Sequence, residues 1–341
     1  MNQLENVQSF RIADALRCTW NGAPSGPNLA SPRERVVGPA SNWPGEVIWQ
    51  DAVVKSKNRV SLGYWDGKKL RGMVSGRSRQ GRNSWEIDRL YLYGSWPSLQ
   101  YWDYGSFEER WDLGWYEDFS AEDAGLELLE QLNTAAGCRA AQRVYLRLPA
   151  NSPALTLAQR SGFTAGVTET LLEGYGGDAG GVPQTKEGPQ GMRPVDPPDE
   201  YGLFQLYCAS APAKAREVLG LTFDQWQEHR ETGSGLFKPA GYKEWVTDGP
   251  ERLAGWLRIT RRWVIVDVQT MTHPDHPEAL YPAMDYALAQ PGIQRWLVPS
   301  YQEAVSARLE NRGFRRVAEY TLMVKMVAVP AFRYGMAPVE A

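Results

Sequence analysis

An internal repeat constrains the fold of this chain more than any other feature of its sequence. The segment RVYLRLP (143–149) has the alternation of a strand, and a short helix that ends in a Gly-Phe pair follows over 151–163. The same order recurs as RWLVPS (295–300) and YQEAVSARLENRGF (301–314), which also ends in Gly-Phe. Glycine is the preferred residue just past a helix C-terminus. The recurrence of order and spacing indicates two copies of one structural unit.

Each copy extends upstream in the same way. Residues 62–94 and 243–271 each predict three strands joined by short turns. Each set of strands leads into a helix with one apolar face, over 121–137 in the first copy and 277–292 in the second. We therefore predict the α/β class, in which each half is a mixed sheet with helices on its faces.

A glycine-rich stretch separates the two copies. The segment EGYGGDAGGVPQTKEGPQG (173–191) has no hydrophobic period, and its composition is typical of a flexible connector. We predict an N-terminal domain over 1–173, a linker over 174–191 and a C-terminal domain over 192–341. A chain of 341 residues has room for two domains of about 100–200 residues each.

Composition narrows the class of protein. The formal net charge of −3 gives no general attraction to nucleic acid, which binds through a surplus of Lys and Arg. No apolar run approaches the roughly 18 residues of a membrane helix, and the polar start MNQLENVQSF does not look like a signal peptide. The three cysteines are scattered, which fits a reducing compartment. We expect a cytoplasmic protein without nucleic-acid or membrane partners.

The histidines give little sign of a metal site. His273 and His276 flank Asp275 in the sequence HPDHP, but the prolines break any helix that could stack the rings, and no third ligand is near. We predict a solvent-exposed loop and no metal.

The order of elements resembles the GNAT superfamily of acyl-CoA N-acyltransferases. The residues that carry the resemblance are Asn151, Ala154, Gly162 and Phe163 in the first half and Ala304, Leu309, Gly313 and Phe314 in the second. It covers roughly residues 60–172 and 192–329, so it implies two tandem GNAT-like domains.

The resemblance implies a reaction and a site. The reaction is acyl transfer from acetyl-CoA or another acyl-CoA to the amine of a small molecule or a peptide. Acyl-CoA would lie where the fourth and fifth strands separate, with its pyrophosphate on backbone N–H groups at the start of the third helix. A carboxylate on the fourth strand would act as base, and a tyrosine on the fourth helix would protonate the leaving group. Carried onto this sequence, the base is Glu86, its second-half counterpart is Asp267, and the cofactor contacts are Leu90, Leu92, Gly125 and Asn151.

The sequence leaves a structural alternative for both carboxylates. Glu86 would instead be paired with a nearby arginine such as Arg77 or Arg79. Asp267 lies in the apolar run VIVDVQT, where a carboxylate needs a partner or a raised pKa. Strict alternation over 85–93 would put Glu86, Asp88, Leu90 and Leu92 on one face of the strand.

Three departures from the family pattern bear on function. At the pyrophosphate positions Ser120, Asp123 and Gly125, only the glycine matches. The corresponding second-half loop, 272–279, contains no glycine. Ala158 and Leu309 stand where the tyrosine is expected. On these residues the first half is the better candidate for a working site.

Three functions therefore stay open. The first is an N-acyltransferase. The second is a catalytically degenerate GNAT-fold binding protein, in which the aromatic, acidic insertion 95–119 helps to form a cleft for a ligand or partner, since ring faces and carboxylates attract cations. As a structural alternative, the insertion packs over the sheet or forms the contact between the two halves. The third, acyl transfer from aminoacyl-tRNA, is disfavoured by the acidic net charge. The acceptor substrate and the oligomeric state lie beyond the sequence.

Overall fold

The computed structural model describes most of the chain. The described residues are 6–20, 27–38, 48, 56–67, 69–79, 83–93, 120–177, 188–229, 242–262 and 264–328. The aromatic insertion 95–119 lies outside them, as do residues 178–187 of the predicted linker.

The first half contains six strands and four helices among these residues. In chain order they are β1 (Val7–Ser9), α1 (Ile12–Trp20), α2 (Arg33–Val36), β2 (Arg59–Asp66), β3 (Lys69–Ser78), β4 (Ser84–Leu92), α3 (Ala121–Gly137), β5 (Arg143–Pro149), α4 (Ala154–Arg160) and β6 (Thr164–Gly176).

The second half contains the same succession after three additional helices. In chain order its elements are β7 (Arg193–Pro194), α5 (Asp199–Ser210), α6 (Ala213–Leu219), α7 (Phe223–His229), β8 (Tyr242–Asp248), β9 (Leu253–Arg262), β10 (Ile265–Thr272), α8 (Leu280–Leu288), β11 (Gly292–Pro299), α9 (Glu303–Asn311) and β12 (Arg315–Met326). The predicted α/β class is confirmed, and the order of strands and helices recurs between the two halves. The two repeated glycines, Gly162 and Gly313, have φ of +87° and +85°, which explains why both short helices end in glycine.

The two halves share one sheet of twelve strands. Its order is β1-β2-β3-β4-β5-β12-β6-β11-β10-β9-β8-β7. Strand β12 lies between β5 and β6 and is antiparallel to both, and β6 lies between β12 and β11. Each half therefore inserts its last strand into the sheet of the other half.

The start of the predicted linker belongs to this sheet. Gly174, Tyr175 and Gly176 pair with Gln294, Ile293 and Gly292 of β11. The glycine content there suits close approach rather than flexibility, because a Cβ on Gly174 would lie 2.7 Å from the Phe314 ring. The domain boundaries at 173 and 192 stay a prediction.

Helices cover both faces of the sheet. Helix α3 begins at the cap Ser120, whose hydroxyl accepts a hydrogen bond from the Asp123 N–H, and its face with Leu128, Leu129 and Leu132 is fully buried against the first-half strands. Helices α8 and α9 cover β9–β11 and share one hydrophobic core with them. Helices α5–α7, which are rich in aromatic residues, form a separate core with β9, β10, β6 and β12. No helix in the part of the chain that the structure describes is long and apolar enough to cross a membrane.

Candidate functional site

A β-bulge interrupts strand β4. Ser75 of β3 pairs with Arg89, whereas the next residue, Gly76, pairs with Ile87, so Asp88 is an extra residue on β4. A bulge of this kind bends its strand and shifts the side-chain alternation by one position.

The predicted alternation along 85–93 is therefore wrong beyond Ile87. Trp85, Ile87, Leu90 and Leu92 all belong to the core beneath α3, so Glu86 does not share a face with the two leucines. The predicted base and two of the predicted cofactor contacts point to opposite sides of the sheet, because one bulged residue exchanges the faces.

Strands β4 and β5 separate just after they begin. Their parallel pairing covers Ser84–Glu86 with Arg143–Tyr145 and then stops. We call the gap beyond these pairs the first cleft. It is where the family resemblance places acyl-CoA in the N-terminal half.

The first cleft is filled by the chain itself. The Leu29 N–H donates to the Leu90 carbonyl at 2.8 Å, and the Leu90 N–H donates to Asn28 Oδ1 at 2.8 Å. On the other side, the Ser31 N–H donates to the Arg147 carbonyl of β5 at 2.8 Å. Residues 28–31 thus join the two separated strands. A ligand could use the predicted contacts at Leu90 and Leu92 only after this segment leaves.

The other predicted first-half contacts do not form a cradle. Gly125 is buried inside α3, where a Cβ would lie 2.6 Å from Leu157 Cδ2 and 2.9 Å from Leu92 Cδ1. The absence of a side chain at Gly125 allows α3 to pack closely against α4 and β4. Asn151 is exposed in the turn after β5. The structure brings Leu92 and Gly125 together in a hydrophobic core and leaves Asn151 outside it.

Glu86 lies in a buried ion-pair cluster. Its carboxylate is 2.9 Å from Arg79 Nη2 and 3.3 Å from Arg77 Nη2. Burial by itself would raise the pKa of Glu86, but the charges of Arg79, Arg77 and Arg147 outweigh it and hold the pKa at about 2. The carboxylate is ionised at neutral pH and shared between two guanidinium groups, which matches the structural alternative named above.

Asp267 is also paired, across a long sequence separation. It is 3% exposed on β10, and its Oδ1 accepts a hydrogen bond from Arg33 Nη2 of α2 at 2.8 Å. The partner that a buried carboxylate needs therefore comes from the N-terminal half.

Strands β10 and β11 separate in the same way as β4 and β5. Their parallel pairing covers Ile265–Val268 with Ile293–Trp296 and then stops. We call the gap beyond these pairs the second cleft. Beside it lies a cavity of about 140 Å³, partly open to solvent, whose lining is Arg33, Tyr207, Leu219, Trp226, Trp256, Arg258, Gln269, Thr270, Met271, Leu297, Pro299, Tyr301 and Gln302.

Two residues at the end of β11 give this cavity polar groups. Gln302 Nε2 donates to the Thr270 carbonyl at 3.0 Å and so links the two separated strands at one point. Burial, followed by the charge of Glu169, raises the pKa of Tyr301 above its ordinary value, so the phenol stays protonated at neutral pH. The family pattern places the tyrosine at Leu309 on α9, so the sequence analysis did not identify Tyr301. The position of Tyr301 just after the strand RWLVPS of the repeat could have indicated it.

The cavity also contains two guanidinium groups that are held in place by carboxylates. Arg33 pairs with Asp267, and Arg258 Nε lies 2.8 Å from Glu244 Oε1. Among the described residues that line the cavity there is no Asp or Glu. The wall thus combines aromatic rings with cationic hydrogen-bond donors.

The loop before α8 does not fit a diphosphate. The amides of His273, Asp275, His276 and Ala279 are all hydrogen-bonded within the protein, and Pro274 and Pro277 have no N–H to donate. The amides that a cradle would need are therefore engaged in the turn itself.

The same loop holds the two histidines of HPDHP. The His273 and His276 rings are 5.8 Å apart, and Asp275 between them is exposed. Among the described residues, no group of three or more His, Cys, Asp or Glu side chains is placed to hold a metal ion.

Comparison with known proteins gives similarity at the level of three-dimensional structure. No protein-family model and no curated protein matches the sequence. Among solved structures, a GCN5-related N-acetyltransferase from Sphaerobacter thermophilus is 15% identical over 94% of this chain and 95% of its own, with a TM-score of 0.49. A tandem GNAT protein from the clavulanic acid biosynthesis pathway is 14% identical over 94% and 98%, with a TM-score of 0.44.

An N-myristoyltransferase from Saccharomyces cerevisiae, solved with bound myristoyl-CoA, is 12% identical over 96% of this chain and 81% of its own, with a TM-score of 0.45. Similarity at these identities and TM-scores concerns the arrangement of strands and helices, and it assigns no role to any residue of this chain.

Proposed function

We propose that this protein is an N-acyltransferase of the GNAT type whose ligand site is the cavity at the second cleft, not the first cleft. One observation supports this choice above all. The two clefts occupy equivalent positions in the repeat, yet residues 28–31 fill the first, whereas the second opens into a cavity of about 140 Å³. Sites for drug-sized ligands measure roughly 300–1,000 Å³, so this cavity suits a short acyl group or a small amine.

The lining residues suit acyl transfer in a specific way. In such a reaction an amine attacks the acyl carbon, a C–N bond forms and the bond to the leaving group breaks, while the amine nitrogen loses one proton and the leaving group gains one. Tyr301 is a protonated phenol in the cavity and could supply that proton. Arg33 and Arg258 are donors that could stabilise charge on the acyl oxygen. With Glu86 and Asp267 in ion pairs, the incoming amine would have to arrive neutral or lose its proton to water.

The donor would be recognised mainly by its acyl end, since the loop over 272–279 offers no diphosphate cradle. We therefore test two acetyl donors, acetyl-CoA and S-acetylpantetheine, which has the same thioester without the nucleotide. Binding at 100-fold excess over Kd would stabilise the folded protein by about 2.7 kcal/mol, visible as a rise in Tm.

A matched pair of variants locates the site. Met271 lines the cavity, and Met326 is 62% exposed at the end of β12. Met271→Trp should fill the cavity and abolish the rise in Tm, whereas Met326→Trp should retain it. No stabilisation of the wild type by either donor, or equal stabilisation of both variants, would contradict the proposal.

Release of free thiol in the presence of an amine panel separates catalysis from binding. Thiol release that depends on the amine supports the transferase. If a donor stabilises the protein but releases no thiol with any amine of the panel, the result would instead support the degenerate binding protein.

A further inference from the structure

One short segment connects the two clefts. Residues 28–31 lie in the first cleft, and Arg33, only two residues further, lines the cavity of the second. The segment 28–38 therefore crosses from the sheet of the N-terminal half to that of the C-terminal half.

Asn28 fixes the N-terminal end of this segment. Its Oδ1 accepts hydrogen bonds from the Leu90 N–H at 2.8 Å and the Ala30 N–H at 3.1 Å, and its Nδ2 donates to the Asp88 carbonyl at 2.9 Å. The side chain is 6% exposed. On β4 it thus satisfies the carbonyl of the bulged residue Asp88 and the N–H of Leu90, which would otherwise be buried without partners.

The C-terminal end is fixed by the second half. Val36 and Val37 pack against Leu171 and Leu297, and Leu297 is itself part of the cavity wall. The Gly38 carbonyl accepts a hydrogen bond from Arg295 Nη1 at 2.8 Å.

The residues between these anchors do not form a stable helix by themselves. Helix α2 has four residues, and helices far shorter than about 12 residues are not stable in water by themselves. The position of Arg33 therefore depends on the anchors on either side of it and on two contacts of Glu34, whose carboxylate pairs with Arg77 and whose carbonyl accepts a hydrogen bond from Arg262 Nη1 at 3.4 Å. The ion pair with Asp267 at 2.8 Å fixes the tip of the side chain but not the backbone from which it extends.

We propose that Asn28 is a positioning residue: by seating residues 28–31 in the first cleft, it holds Arg33 in the wall of the second-half cavity. The N-terminal half then contributes to ligand binding in the C-terminal half through its filled cleft. The ligand in this inference is that of the proposed function, on which this part rests.

Amide hydrogen exchange of the ligand-free protein tests the seating. The Leu29 and Ser31 amides donate into the first cleft, and the Val37 amide donates to the Arg33 carbonyl. Asn28→Ala should accelerate exchange at all three amides by about tenfold or more, because the segment detaches as a unit. Asn311→Ala, at an exposed asparagine of α9, is the matched control and should change none of them. Faster exchange at Leu29 with no change at Val37 would overturn the inference.

A double-mutant cycle tests the effect on the cavity. With whichever acetyl donor the wild type binds, Asn28→Ala and Arg33→Met should each weaken binding about tenfold. The double variant should also lose about tenfold and not a hundredfold, because both changes remove the same contact. Additive losses, or no loss in Asn28→Ala, would overturn the inference. If the wild type binds neither donor, the proposed function fails, and the exchange experiment alone decides whether Asn28 holds the Arg33 segment.

Discussion

Replacing Glu86 by glutamine is the sharpest test of the buried charge cluster. In the folded protein Arg79 and Arg77 hold the pKa of Glu86 at about 2, against an ordinary value of 4.5, and they do so against the effect of burial. That difference corresponds to about 3 kcal/mol at roughly 1.4 kcal/mol per pH unit. We expect Glu86→Gln to lower the free energy of unfolding by about this amount at pH 7.

The pH dependence of the stability difference shows whether the charge of Glu86 causes it. Because the pKa of Glu86 is lower in the folded state than in the unfolded state, its stabilising contribution is fully present above about pH 4.5 and is lost as the pH falls toward 2. The difference between wild type and Glu86→Gln should therefore shrink to roughly 40% of its neutral value at pH 3.

Urea denaturation at pH 7, 5 and 3 measures this difference. Glu251→Gln, at an exposed glutamate between β8 and β9, is the matched control and should cost under about 0.5 kcal/mol at each pH. A loss below about 1 kcal/mol in Glu86→Gln at pH 7, or a loss that does not change with pH, would refute the reasoning. If instead Glu86 is a catalytic base, the variant will keep its stability and lose thiol release.

Two further substitutions test other buried contacts. Arg33→Met should destabilise the protein by about 3–5 kcal/mol in urea, because it removes the partner of the buried Asp267 carboxyl group, whereas Arg316→Met, at an exposed pair, should cost about 0–1 kcal/mol. Similar small losses for both would show that the buried pair contributes little. Gly125→Ala should cost about 1–3 kcal/mol by overpacking, because the new Cβ would lie 2.6 Å from its nearest neighbour. Gly202→Ala, where the nearest atom is 3.2 Å away, should be neutral or stabilising, and an equal loss in both variants would contradict the packing argument.

Local features of the sequence were sufficient for the repeated unit. The C-terminal glycines Gly162 and Gly313 and the apolar face of α3 are short-range signals, and each element that they predict is present. They also pointed to an arginine partner for Glu86, because Arg77 lies on the adjacent strand β3 and Arg79 lies directly after its end.

The site itself depends on contacts between distant residues. One extra residue at Asp88 changes which side chains face which core, and no composition signal marks it. The occupant of the first cleft comes from a Gly-, Pro- and Ser-rich stretch that has no periodicity, and Arg33 meets Asp267 across 234 positions. The pattern of apolar residues does not predict the strand exchange either, because β6 and β12 would have the same pattern in the sheet of either half.

Because the two halves exchange their last strands, the sheet of the N-terminal half depends on a strand that is synthesised much later. Strand β6 is complete at Gly176, yet the partner that lies between it and β5 begins only at Arg315. About 140 residues separate the two, so at ~5–20 residues per second the ribosome needs roughly 7–28 s to supply the missing strand. During that time β5 and β6 expose unpaired backbone edges of the kind that attract other chains. The sheet of the N-terminal half therefore cannot be completed until β12 has been synthesised.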